Sequence, residues 1–184
     1  RFKKSKPLLV QSANPQWKDS VRKLIGLTMN KEQIIEAYPE FFPDRIDFSI
    51  GEGWLGLINV ICEKMSRRIE SLDRNIEQAK KLLATATRVG HVENAKYWRK
   101  DLRQSKADKK ALSEQPFKFL QIKEKFGSLR IYYRGGLSGF GEWISFAERF
   151  AEELCEDCGN RSEVRTDGWI RTLCIPCAEK MKES

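Results

Sequence analysis

A chain of 184 residues that is 40% hydrophobic and 33% charged can build one medium core plus a small appended module. No apolar run is long enough to cross a bilayer, so the sequence excludes a membrane-spanning helix. Thirty-four Lys and Arg against 26 Asp and Glu leave a net charge of +8, which suits nucleic acid or another acidic partner.

Residues 1–53 read as an N-terminal helical segment. The opening RFKKSKPLLVQS is basic without periodicity and fits an arm that orders on docking. Arg1 stands where an initiating Met would, so a different natural start is expected. Asn14-Pro15 places a cap before a residue favoured at the first helical position, predicting a helix from Gln16 to about Thr28. Asn30 caps a short helix over Lys31 to Ala37, which the prolines of Tyr38-Pro39-Glu40-Phe41-Phe42-Pro43 end. Ile46 to Ile50 alternates and suits a short strand or an extended lead-in.

Residues 54–115 read as a long basic helical hairpin. From Trp54, apolar residues recur at Leu57, Ile58, Ile61, Met65, Ile69, Leu72, Ile76, Ala79 and Leu83, a single stripe along one helix. Cys62 lies in that pattern as a small buried hydrophobe. Val89-Gly90-His91 interrupts it. Val92, Ala95, Trp98, Leu102, Ser105 and Leu112 then form a second stripe, so two antiparallel helices are expected to close on each other and project from the body. Between Cys62 and Lys110 lie fourteen Lys or Arg against seven Asp or Glu. Lys80, Lys81 and Arg88 on one arm and Lys96, Arg99, Lys100 and Arg103 on the other are candidate partner contacts. A solvated surface with pairs such as Glu77 to Lys81 accounts for the same charges.

Over residues 116–154 the period falls to two, then returns to helical. Phe117 to Lys123 and Ser128 to Arg134 are strands joined at Glu124 to Gly127. Leu129, Ile131 and Tyr133 point to one face; Arg130, Tyr132 and Arg134 point to the other, with Lys123 beside them. Gly135 to Gly141 is expected to be a flexible loop. A helix from Glu142 to Leu154 follows, with Trp143, Ile144, Phe146, Ala147, Phe150 and Leu154 as its core stripe.

Residues 155–184 carry Cys155-x-x-Cys158 and, sixteen positions on, Cys174-x-x-Cys177. Two such knuckles at this spacing match a four-cysteine zinc ribbon, each offering two thiolates from one turn. Ser162 to Thr166 and Trp169 to Leu173 suit two short strands around an Asp167-Gly168 hairpin turn. A disulfide pair needs an oxidising compartment, and no secretory signal is visible, so a cytoplasmic setting is expected. A redox dyad needs only one CxxC. With four thiolate ligands no coordination position stays open, so structural Zn2+ is the expected cofactor, not a catalytic metal.

The expected architecture is therefore α+β: a small mixed body with a β-hairpin, a projecting helical hairpin and a zinc ribbon. Catalysis is not expected. His91 is the single histidine and sits at the hairpin break; no Ser-His-Asp set, HExxH or phosphate-cradling loop is present. Two binding classes remain. Arg130, Tyr132 and Arg134, extended by Arg161, Arg165 and Arg171, combine guanidiniums for phosphate with a ring for base stacking. A protein-interaction factor is the alternative, favoured if Val89, Val92 or Tyr97 are exposed near the hairpin tip.

Four motifs together, Tyr38-Pro39-Glu40-Phe41-Phe42, Gly53-Trp54-Leu55-Gly56-Leu57-Ile58, Lys123 to Arg130 and Cys155 to Cys177, resemble those of a group of small bacterial and phage proteins. The resemblance covers most of the chain outside the first thirty residues and residues 70 to 115, where the hairpin looks lengthened. It implies no particular activity. Its phage distribution implies an accessory role, such as inhibition of a host defence machine.

Overall fold

Asn30 opens the first helix, α1 (Lys31–Ala37), with a reciprocal cap: its side chain accepts from the Gln33 amide, and Gln33 accepts from the Asn30 amide. The computed structural model describes residues 29–165 and 169–183, without the side chains of residues 164 and 165. The expected arm, the helix over residues 16–28 and the Asp167-Gly168 turn lie outside those residues.

Strand β1 (Asp47–Ser49) pairs in parallel with β2 (Lys118–Lys125), which pairs antiparallel with β3 (Ser128–Arg134). The β2–β3 turn is Phe126-Gly127, with φ of 54° and 69°. Positive φ at both central residues is the type I′ geometry that matches strand twist. A bulge between Phe119 and Gln121 lets Phe119 and Ile122 both face inward, leaving Leu120 outside. Phe117 sits amid the rings of Phe41, Phe119, Tyr133 and Phe140, at centroid distances of 4.8–5.7 Å. Such pairs each add about 0.5–1.5 kcal/mol beyond the area they bury.

Helix α2 (Leu55–Arg88) runs 34 residues, about 51 Å at 1.5 Å per residue. Its stripe belongs to the main core only as far as Leu72. Beyond that point about 24 Å of helix runs alongside α3 (Val92–Glu114). The fold is α+β, and its two long adjacent helices form the expected hairpin.

The hairpin seam is more polar than its stripes predict. On α3 the buried residues are Ser105 and Asp108, while Val92 is exposed and drops off the expected closing face. Asp108 accepts from Arg68 at 3.0 Å and from Gln104 at 2.8 Å. Lys109 and Asp73 form a second ion pair between the helices.

Two further expectations change. The Gly135-Gly136 stretch is packed rather than open. Its φ values are 65° and 95°, the Gly136 amide bonds Gln115 O at 3.0 Å, and a Cβ on Gly136 would press on the Phe117 and Phe140 rings at 2.9 Å. Helix α4 therefore begins at Phe140 (Phe140–Ala151). Phe146, expected in its core stripe, is exposed and stacks on Phe150 at 5.6 Å. No helix among the described residues is long and apolar enough to cross a membrane.

Candidate metal centre and basic sheet face

The first knuckle is a tight turn closed by the Gly159 amide on Cys155 O at 2.8 Å, with Gly159 at φ 70°. The second is delivered by β5 (Thr172–Leu173), which pairs with β4 (Val164–Arg165), and by α5 (Ile175–Lys182), which begins immediately after Cys174. Strand and helix thus fix Cys174 and Cys177 against Cys155 and Cys158. The four Sγ atoms lie within 4.8 Å of one another, with Cys158 and Cys174 at 3.6 Å, and all the cysteines are free thiols. A tetrahedron with metal–sulfur distances of about 2.3 Å has edges of about 3.8 Å. The cluster fits a metal ion.

The surroundings favour the thiolate at Cys158, whereas burial pushes the Cys155 and Cys177 thiols up. Burial pushes the Cys155 thiol up, opposed by backbone amides of Cys174, Cys158 and Asp157. Burial acts on Cys158 too, but hydrogen bonds from the Asn160 backbone and from the other cysteines outweigh it and hold its thiol down. The Asn160 side-chain amide adds a bond to Cys158 Sγ at 3.2 Å. Donors aimed at sulfur stabilise the anionic form that a metal requires. Cys62 is different: burial pushes its thiol well up, and it remains a core residue as expected.

The centre is bolted to the base of α2 through glycine. The Gly53 amide bonds Glu156 O at 2.9 Å, and Trp54 Nε1 bonds Leu154 O at 3.0 Å. A Cβ on Gly53 would overlap Cys155 O and Gly159 N, and one on Gly51 would overlap Glu156 O. Only glycine lets these backbones meet. Thr172 Oγ1 also bonds Gly127 O at 2.6 Å, joining the ribbon to the turn of the β-hairpin. Gly51-x-Gly53 before a tryptophan is the sequence signal of this contact.

The candidate partner residues fall into three settings. On the sheet, Lys123 stands opposite Arg130, and its ammonium lies 5.3 Å from the Tyr132 ring centroid. Arg130, Tyr132 and Arg134 are exposed as their alternation predicts, and Lys118 stands opposite Arg134. Among the described residues Lys118, Lys123, Lys125, Arg130 and Arg134 form no ion pair. Asp47 is the acid at this face; hydrogen bonds from Ser49 and then Gln121 hold its carboxyl below the usual range, helped by Lys123.

On the hairpin, Lys80 and Lys96 are paired with Glu77 and Glu93, whereas Lys81, Arg88, Arg99, Lys100 and Arg103 are exposed without an ion pair. On the ribbon, Arg171 is turned inward. It ion-pairs with Glu156 and Asp157, and Glu156 is buried with its Oε2 lacking a hydrogen-bond partner among the described residues. Arg171 thus holds the first knuckle against β5 instead of facing a partner with Arg130. Arg161 is exposed, and the Arg165 side chain lies outside the described residues. No family model, curated protein or solved structure matches this chain.

Proposed function

We propose that this is a non-catalytic, zinc-stabilised module that binds single-stranded nucleic acid across the exposed face of its three-stranded sheet. One observation carries the reading: Lys118, Lys123, Lys125, Arg130 and Arg134 share a sheet face with an accessible tyrosine ring, Lys123 lies against that ring, and among the described residues no carboxylate is ion-paired to any of the five. Phosphates supply the missing countercharge, and a base stacks on Tyr132. The pleat supports this use, because Leu129 and Ile131 hold the core from the opposite face and leave Arg130 and Tyr132 free to serve a ligand. Zinc is the metal that a four-thiolate set of this spacing favours, and its role is to fix the ribbon against the sheet.

The test is binding of the purified, metal-loaded chain to short single- and double-stranded oligonucleotides across a salt series. Five phosphate contacts predict an affinity loss of about 10²-fold between 50 and 200 mM salt for a single strand. Arg130→Glu with Arg134→Glu should weaken binding at least about tenfold, and Tyr132→Ala should cost about 1–3 kcal/mol. No binding at low salt, or binding indifferent to these substitutions, would remove the reading.

A further inference from the structure

We propose that the apex of the helical hairpin is a docking element for a folded protein whose surface pairs an apolar pocket with acidic side chains. The apex is built as a rigid point. Helix α2 ends in a left-handed Gly90, φ 71°, with the Gly90 amide on Thr87 O at 3.2 Å and the His91 amide on Ala86 O at 2.9 Å. Those two bonds satisfy the last carbonyls of the helix. His91 then caps α3 with Nδ1 on the Asn94 amide at 3.4 Å, and His91 O accepts from Ala95 at 3.0 Å. Among the described residues a Cβ on Gly90 would meet nothing within 4 Å.

Apolar surface is concentrated at that point. Along residues 55–114 the exposed large hydrophobic side chains are Val89, Val92 and Tyr97, with 60–65% of each accessible. Isolated exposed valines are ordinary; three such residues confined to one end of a long polar hairpin are a pattern. Neither valine is needed where it stands. Val89 follows the last helical residue and Val92 opens α3, positions that polar residues fill without loss to the fold.

Charge selects the partner. Residues 80–103 hold seven Lys or Arg against two Asp or Glu, and Lys81, Arg88, Arg99, Lys100 and Arg103 make no ion pair among the described residues. A second copy of the apex would bring like charges together. Nucleic acid would use the cations and gain nothing from two aliphatic side chains at the leading end. A bilayer rewards a broad apolar helix face, whereas α3 buries Ser105 and Asp108 and carries charge around its outer side. An apolar pocket rimmed by carboxylates uses both features: valines as anchors, and arginines as a rim that sets orientation and on-rate.

The experiment is selection of a display library of folded protein domains with randomised, pocket-bearing surfaces on the immobilised, metal-loaded full chain, with Val89→Asp/Val92→Asp as the counter-selection target. Both sites are exposed, so the variant should melt as the parent does and keep any oligonucleotide binding at the sheet. Expected are enriched domains whose selected surface combines Asp or Glu with Leu, Ile or Phe. They should bind at least tenfold more weakly to the variant and to Arg88→Glu/Arg99→Glu. No enrichment, enrichment without acidic residues, or equal binding to the variant overturns the proposal. So does phosphatidylserine-vesicle binding that depends on Val89 and Val92 while the domains fail.

Discussion

At the ribbon end of this molecule backbone touches backbone. Gly53 meets Cys155 and Gly159, Trp54 is fully buried beneath Leu154, and four thiols converge on one point. Along the hairpin two helices meet through small residues, Ala79 and Ala86 among them, and, at the end nearer the body, through ion pairs at Asp108 and Asp73. The first region is joined backbone to backbone around a cysteine cluster that could hold a metal ion; the second closes through a partly polar seam. If the cluster holds a metal, its loss should loosen the first region and spare the second.

The largest way to test that contrast is Cys158→Ser. Structural zinc contributes about 10–16 kcal/mol in small domains, so the variant should lose bound metal, and hydrogen exchange should rise beyond about residue 140 and at residues 51–54. Exchange in the hairpin beyond residue 72 should hardly change. Full metal retention with an unchanged melt would sink the zinc assignment, and equal exchange losses in the hairpin would erase the contrast.

Gly53→Ala is smaller and sharper. Its Cβ cannot be placed without parting the knuckle from α2, an overpacking cost of about 1–3 kcal/mol. A lower melting temperature and faster metal transfer to a competing chelator are expected. Parent-like values for both would mean that the glycine contact does not support the centre.

Asp108→Ala tests the other end. Truncating one partner of a buried pair costs about 3–5 kcal/mol, but the Arg68 side chain keeps 34% of its exposure, so about 2 kcal/mol is expected. Exchange should rise around residues 68 and 104–108 with metal content unaltered. Metal loss in this variant would show that the two regions are not separate.

Periodicity made much of this legible beforehand. The α2 stripe, the alternation of β3 and the paired CxxC motifs each depend on local spacing, and each element lies where its spacing put it. Asp108 shows what local reading loses. It lies between Ser105 and Leu112 on the α3 stripe, and its partner there is Arg68, forty residues away. Phe146 fails for the converse reason: its spacing fits a core stripe, but among the described residues no core covers it, and it stacks on Phe150 while exposed.

The candidate surfaces divide in the same way. Sequence alone put Arg130, Tyr132 and Arg134 on one face, because strand geometry alternates whatever surrounds it. It also paired the cysteines within each knuckle, because each knuckle is a local turn, and the fold gathers the two pairs into one cluster. Which cations remain available was decided only by tertiary structure. Arg171 and Arg130 look alike in sequence, yet folding brings Glu156 and Asp157 to Arg171 and, among the described residues, no ion-pairing carboxylate to Arg130. Charge neutralisation depends on neighbours remote in sequence, and only the folded chain supplies them.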